Sequence, residues 1–408
     1  MRFNNEKLVA AAKEFGTPLY LYDADLVVRR YRELHAFIPW PRLRIYYAMK
    51  ANYNAGLLKV LNGIGACLDT VSPAEVLMAR TLGFTDDRLL YTANNMTDAE
   101  VRAVQATGVM LNIDSLSRLE KFGKEFPGSR ICLRFNPDVV DGEHEKVRTG
   151  GVLTKFGILL RDVEWARAIT KKYGLVVAGL HEHTGSGLER TESVYRSMKN
   201  LMAIATPKRF PELEFLDFGG GFKVPYRPHE GRVDYRAMGE EITRLFHAFC
   251  QRYGRALEMR FEPGKYIVAE AGYLIVEVNT IKHNHDRVIV GCNSGFPHLI
   301  RPVMYGSYHH IVNLTNPDGE LGRYDVCGNI CETGDRFAEQ REIPEIREGD
   351  LLAIGNAGAY CYSMGGVYNL RSMPAEAMIY EGELRLVRKR LSNEELVDRI
   401  LEESLPAY

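Results

Sequence analysis

The chain has 408 residues with 52 basic and 53 acidic side chains, a formal charge of −1, so it offers no field that would draw nucleic acid or an anionic membrane surface. No stretch approaches the roughly 20 apolar residues of a membrane span, and the charges scattered through MRFNNEKLVAAAKEFG interrupt the apolar centre a secretory signal requires, so a cytoplasmic protein is expected. Seven cysteines, an odd number spread thinly, point to free thiols and not to a disulfide framework.

The length suits two domains, one of which can be an α/β barrel of roughly 250 residues. From Arg44 to Gly264 eight β-rich runs alternate with amphipathic stretches: Ile45 to Lys50, Ala66 to Val71, Leu89 to Ala93, Val109 to Asp114, Ile131 to Asn136, Val176 to His183, Glu214 to Phe218 and Glu258 to Glu262. Among the helical stretches, Pro73 to Leu82 starts on a proline, and Tyr235 to Tyr253 sets Met238, Ile242, Leu245 and Phe249 on one face. This alternation predicts a (β/α)8 TIM-like barrel. An open doubly wound sheet would carry a Gly-rich fingerprint after its first strand, whereas the glycines here come late, at Gly219, Gly220 and Gly221.

After about Gly272 the pattern changes to strand runs without helices between them: Tyr273 to Lys282, Arg287 to Val290, Leu351 to Ile354, Ala375 to Tyr380 and Leu384 to Val387. The expected fold class is therefore α/β plus all-β: a barrel over residues 24–272 and a β-sandwich or small β-barrel built from residues 1–23 and 273–408. With no repeat, low-complexity tract or flexible linker between them, the two domains are expected to share an interface.

The polar residues gather at one end of the predicted barrel. Lys50, Asp69, Arg134, His183, Gly219 to Gly221 and Glu262 fall at or just past the C-terminal ends of different strands, where barrel enzymes hold their active sites. A lysine ending the apolar run IYYAMK suggests a Schiff-base amine, because burying an ammonium is costly without a covalent or ionic role. In HEHTGSG, His181 and His183 share one face of the strand, but no third ligand with metal-like spacing stands near, so no metal is expected. A packed core histidine is the plain alternative; a ring stacked on a cofactor, with Ser186 and the glycines donating to a phosphate, fits better. In Asp217-Phe218-Gly219-Gly220-Gly221 the glycines let backbone N–H groups approach an anion, or simply form a tight turn. Glu262, in Glu262-Pro263-Gly264-Lys265, could hold a pyridinium nitrogen protonated. Cys327 and Cys331 have no second pair to complete a zinc site.

Together the blocks YYAMKAN, LDTVSPAEV, HEHTGSG, LDFGGGF, FEPGKYIVAEAG, LIRPVMYGSYHHI, CGNICETGD and NAGAYCYSMGG run in order over nearly the whole chain. They resemble the fold-type III pyridoxal phosphate decarboxylases, whose alanine racemase/ornithine decarboxylase-like architecture pairs a barrel with a β domain. The resemblance implies that Lys50 carries pyridoxal 5'-phosphate covalently, that His183 stacks on its ring and that Glu262 pairs with its ring nitrogen. It implies phosphate contacts from Ser186, Gly220, Gly221 and Tyr360, and places Asp69, Glu75, Arg134 and Gly264 in the cofactor pocket. Cys331 and Glu332 match a pair that a partner subunit inserts into the site, so a homodimer with shared active sites is implied, with Cys331 serving protonation or positioning.

For substrate, the resemblance singles out Lys265, Arg301, Tyr305, Glu332 and Tyr360. Arg301 and Tyr305 match a pair that grips a distal carboxylate, for which a guanidinium fork is suited, and Glu332 would take the distal ammonium. The implied reaction is decarboxylation of meso-2,6-diaminopimelate at its D-centre to L-lysine and CO2, the last step of lysine biosynthesis. The alternatives are a related decarboxylase acting on carboxynorspermidine or another diamino acid, and a non-catalytic cofactor-binding regulator. Three departures from the family pattern are Lys265, where an arginine is usual, the pair Gly365-Gly366, and Met373, where more polar residues are usual. The charged, glycine-containing loop from Pro137 to Gly157 is expected to act as a lid.

Overall fold

The computed structural model describes residues 5–142, 144, 146, 149–151, 154–188 and 190–404. In chain order the first strands are β1 (Leu19–Asp23), β2 (Leu43–Ala48), β3 (Cys67–Thr70), β4 (Leu89–Tyr91), β5 (Met110–Ile113), β6 (Arg130–Asn136), β7 (Ile158–Leu159), β8 (Val176–His181), β9 (Phe215–Asp217) and β10 (Glu258–Phe261). Every pairing from β2 through β6 and on to β8, β9 and β10 is parallel, and β10 returns to β2 with Met259 opposite Leu43 and Phe261 opposite Ile45. The eight predicted runs thus close into a barrel, and β7 adds to β6 beyond it.

Helix starts are fixed by local chemistry. Ser72 accepts from Glu75 N ahead of Pro73, and Ser115 and Asp234 cap the helices Leu116–Glu125 and Tyr235–Tyr253 in the same way. Tyr47, Leu68, Leu133, Leu180, Leu216 and Phe261, from six of the barrel strands, are essentially buried in one apolar core with the helices. The observed helices Pro73–Thr81 and Tyr235–Tyr253 match the predicted ones to within a residue.

The rest of the chain adds β11 (Gly272–Asn284), β12 (Arg287–Cys292), β13 (Ile311–Asn313), β14 (Leu321–Cys327), β15 (Arg336–Pro344), β16 (Leu351–Ile354), β17 (Ala375–Tyr380) and β18 (Glu383–Arg388). The main path of this second sheet runs β15-β14-β12-β11-β1-β17-β18, with β16 on β11 and β13 on β16. The N-terminal strand β1 does return here, antiparallel to β11 and parallel to β17. Two features depart from the sequence expectation. β13, β14 and β15 were not foreseen, and the region carries helices, Asn5–Phe15 and Asn393–Glu403, the latter closed by a Ser392/Glu395 capping box.

The two sheets meet at the C-terminal end of the barrel. The loop after β16 lies on the turn after β2: Tyr360 N donates to Ala51 O at 2.8 Å, Asn52 Nδ2 donates to Gly358 O at 3.0 Å, and Ser363 Oγ donates to Ala51 O at 3.1 Å. A Cβ on Gly358 would stand 1.8 Å from Val268 O, so only glycine allows this approach. Gly358→Ala should lower stability by about 1–3 kcal/mol through forced backbone displacement, measured as a reduced midpoint in urea at unchanged slope.

Candidate active site

β2 ends at Ala48, and Lys50 sits in the short 3-10 turn Met49–Ala51, closed by Asn52 N donating to Met49 O. The turn aims Lys50 into a cavity of about 250 Å³ at the strand ends. Its Nζ donates to Oδ2 of Asp69, near the end of β3, whose side chain is wholly buried while the lysine side chain keeps 41 % exposure. Burial pushes the Asp69 carboxyl up to about 7, with the Glu262 charge adding to the rise and Lys50 opposing it. Burial works against the Lys50 ammonium, but Asp69, Tyr360 and Glu262 more than offset it, so the charged form is held.

Glu262, one residue past the neighbouring strand β10, lines the same cavity and is pinned on both oxygens: Oε1 accepts from Thr92 Oγ1 at 3.1 Å and Oε2 pairs with His181 Nε2 at 3.0 Å. Burial alone would raise this carboxyl; the His181 contact and the charge of Lys50 hold it below the usual carboxylate range. His183 Nδ1 accepts from Gly220 N at 3.1 Å, which fixes the ring against the glycine loop. Burial, then the nearby Arg134 charge, push the His183 imidazole down to about 3, so it is neutral at physiological pH. The two histidines of the motif therefore have separate partners.

The glycine loop is a sterically required cradle. A Cβ on Gly220 would lie 2.5 Å from Glu262 O, and Gly221 has φ +104°. Gly220, Gly221, Ser186, Gly264 and Tyr360 line the same cavity as Lys50, Arg134, His183 and Glu262. Arg134 is only 5 % exposed and lies over the Phe156 ring at 4.6 Å, its pKa lowered by burial. Backbone donors at a glycine turn, a hydroxyl, a buried guanidinium and a carboxylate opposite an amine fit a phosphorylated pyridine aldehyde.

A second group of cations lies beside this cavity. Lys265 and Arg301 are 4 % and 3 % exposed, and both approach the Tyr226 ring, at 5.8 and 5.4 Å from its centroid. Arg301 also lies 5.6 Å from the Tyr305 ring and donates to Ser307 Oγ at 3.3 Å, while His309 meets Tyr226 edge-on. Sequence reasoning missed Tyr226, His309, Thr92 and Phe156; their local patterns are those of ordinary core aromatics and loop residues, and only tertiary contacts bring them to the site.

Three expected residues stand elsewhere. Glu75 is not among the residues lining the cavity; its Oε2 accepts from Val71 N at 2.7 Å and stabilises the turn after β3, so it supports the pocket from behind. Cys331 and Glu332 are exposed on the loop after β14, with Cys331 N donating to Asn369 Oδ1, and do not line this chain's own cavity. Gly365 and Met373, two of the departures, accommodate each other: a Cβ on Gly365 would lie 2.5 Å from Met373 Cε. The central part of the predicted lid, residues 143, 145, 147–148 and 152–153, lies outside the described residues. Between these, Thr149 Oγ1 donates to His183 O, and Asn136 bonds both ways with Gly151.

A lysine in the turn after β2, a carboxylate just past the neighbouring strand β10 and a glycine cradle after β9 define a barrel enzyme built for pyridoxal phosphate. Residues 24–269 match the family model described as pyridoxal-dependent decarboxylase, pyridoxal binding domain. The diaminopimelate decarboxylase of Methanothermobacter thermautotrophicus is 41% identical over 407 residues, covering 98% of this chain and 94% of the relative, and that of Aquifex aeolicus is 33% identical over 97% and 93%. The crystal structure of diaminopimelate decarboxylase from Helicobacter pylori complexed with L-lysine superimposes with a TM-score of 0.88 at 30% identity, covering 98% of this chain and all of that one. The chain belongs to the pyridoxal-dependent decarboxylases, in their diaminopimelate decarboxylase family. Among the described residues no helix is long and apolar enough to cross a membrane.

Glu182, between the two histidines, is 1 % exposed and accepts from Ser197 Oγ at 2.7 Å and Thr184 Oγ1 at 3.2 Å. Burial pushes it from 4.5 up to about 8. A folded-state pKa above the unfolded value means that folding takes up a proton between these limits, so this contribution to stability is full below about pH 4.5 and is lost as pH rises towards 8. Glu182→Gln should therefore gain stability relative to the native chain as pH rises through that window, by up to about 1.4 kcal/mol per pH unit, read from paired denaturation curves between pH 5 and 8.

Proposed function

We propose that the residues at this site carry out the decarboxylation of meso-2,6-diaminopimelate to L-lysine and CO2, the closing step of lysine biosynthesis, with pyridoxal 5'-phosphate as cofactor. The observation that carries the substrate reading is the pair of buried cations, Lys265 and Arg301, flanking Tyr226 beside the cofactor cavity. A buried guanidinium suits a carboxylate in both charge and geometry, and the distal carboxylate of this substrate fits that position.

Bound pyridoxal phosphate supplies an electron sink for the pair left when the carboxylate departs as CO2. Lys50 Nζ would hold it covalently, with Asp69 orienting the amine beforehand. Ser186, the Gly220 and Gly221 backbone, and Tyr360 would hold the phosphate, and neutral His183 would pack on the ring without adding a competing charge. Glu262, held ionised and pinned by Thr92 and His181, would face the ring nitrogen and keep it protonated. Arg301 and Tyr305, with Lys265 beside them, would fix the distal carboxylate and so leave the D-centre carboxylate at the reacting position. Lysine at 265 keeps the charge of the usual arginine without its planar fork, which places the geometric selection on Arg301.

Removing one partner of a buried charge-assisted contact costs about 2–5 kcal/mol. Arg301→Ala should therefore lower kcat/KM for meso-diaminopimelate by roughly 30-fold to several thousand-fold, assayed as L-lysine release, with cofactor absorbance retained. Turnover at the native level would remove the assignment of the distal carboxylate to Arg301.

A homodimer with shared sites completes this reading. Cys331 and Glu332 lie exposed, outside their own chain's cavity, as suits residues that reach into a partner's site; there Glu332 would receive the distal ammonium and Cys331 would protonate or position the reacting carbon. Mixing inactive Lys50→Ala and Cys331→Ala chains should restore activity, because a mixed dimer contains one complete site. Mixtures as inactive as their parents, despite subunit exchange seen by native mass spectrometry, would mean that each site is built from one chain.

A further inference from the structure

Behind Glu262 two further ionisable groups are buried in the barrel, its partner His181 and Asp217. His181 and Asp217 end the neighbouring strands β8 and β9 and stand opposite each other in register. Both are fully buried, and His181 Nδ1 and Asp217 Oδ2 lack a hydrogen-bond partner among the described residues. His181 Nε2 already pairs with Glu262 Oε2, and Asp217 Oδ1 already accepts from Gly219 N at 2.9 Å. His181, Asp217 and Glu262 each bring one ligating atom within 4.8 Å of the others, and buried polar atoms without a protein partner are ordinarily bridged by an ordered water.

We propose that Asp217, acting through one buried water and His181, is a positioning residue that keeps the negative charge of this trio on Glu262, facing the cofactor's ring nitrogen. In the working arrangement Asp217 is a neutral acid whose O–H donates to the water. The water donates to His181 Nδ1, and His181 Nε2–H donates to Glu262. The trio then holds one negative charge, on Glu262. If each proton moves one hydrogen bond along the line, Glu262 becomes the neutral acid and the same charge resides on Asp217, behind the histidine and away from the cofactor. No proton is gained or lost in that exchange.

The surroundings favour the first arrangement. Burial raises the Asp217 carboxyl well above the carboxylate range; Glu262 and Asp69 add to the rise, while the Gly219 N–H and the Arg260 charge oppose it. Cys132 on β6 faces the same interior, its thiol raised chiefly by burial with Asp217 adding to it. His181 is lowered by burial, with Arg134 and Lys50 adding to the fall and Glu262 opposing it. A neutral His181 that donates from Nε2 must accept at Nδ1, which is the role the line requires.

The inference depends on pyridoxal phosphate occupying the cavity, and its test reads the ring nitrogen directly. The holoenzyme would be loaded with pyridoxal phosphate carrying 15N in the ring and the nitrogen resonance followed against pH. The native protein should give a protonated-ring signal near neutrality. That signal should move towards the unprotonated position as Asp217 ionises at higher pH, because an ionised Asp217 turns the His181 N–H away from Glu262. Asp217→Asn, whose amide still donates but cannot ionise, should keep the protonated signal and lose the pH-dependent shift. Asp217→Leu should lose the protonated signal near neutrality, and in a His181→Gln background should change nothing further. Native and Asp217→Asn proteins with the same pH dependence would overturn the relay even if Asp217→Leu failed to fold. Failure of the native chain to take up the labelled cofactor would overturn both the relay and the cofactor assignment beneath it.

Discussion

The structure is organised around the cost of burying charge at the C-terminal end of the barrel. Lys50, Arg134, Lys265 and Arg301 converge there with Asp69 and Glu262, and charges removed from water must find partners or neutralise. The protein resolves part of this internally, through Lys50 with Asp69 and Glu262 with His181. The positive charge of Arg134, Lys265 and Arg301 suits the anions that a phosphorylated cofactor and a dicarboxylate substrate bring. Burial keeps His183 neutral, and the charges of Arg134 and Lys50 reinforce it, since an imidazolium there would be a further buried cation.

Precision in this cluster comes from backbone contacts as well as side chains. The glycine loop can approach the site because Gly220 and Gly221 lack side chains, and the second sheet reaches the barrel through Gly358, Asn52 and Tyr360. Tyr360 is thereby held at the cavity by a loop from one sheet resting on the lysine turn of the other. Because the turn carrying Lys50 is buttressed by the second sheet, stability of that contact and geometry of the site are linked.

Much of this was legible in the chain because the barrel's repeating strand-helix period is a local signal, and because strand ends are where its polar residues had to gather. The lysine at the end of IYYAMK and the glycine triplet were read from position alone, although Lys50 proves to sit in a turn just past its strand. β14 and β15 were not legible: in LGRYDVC and RFAEQREIP exposed charged residues obscure the alternation, and long-range pairing with β12 and with each other defines them. The helix Asn393–Glu403 did carry a readable signal in its Ser392/Glu395 capping box. Tyr226 and His309 carried none, since a ring placed against two cations 39 and 75 residues further along the chain, and an imidazole edge-on to it, leave no trace in local spacing.

The central claim is that the cation pair beside the cavity selects a substrate ending in an amino acid. Its most direct test is a side-by-side assay of the pyridoxal-loaded protein with meso-diaminopimelate, L-ornithine, L-lysine, L-arginine and carboxynorspermidine, measuring CO2 and the amine product. The account predicts CO2 from meso-diaminopimelate alone, in equal amount with L-lysine. Comparable turnover of ornithine, lysine or carboxynorspermidine, none of which carries a second amino-acid end, would contradict it.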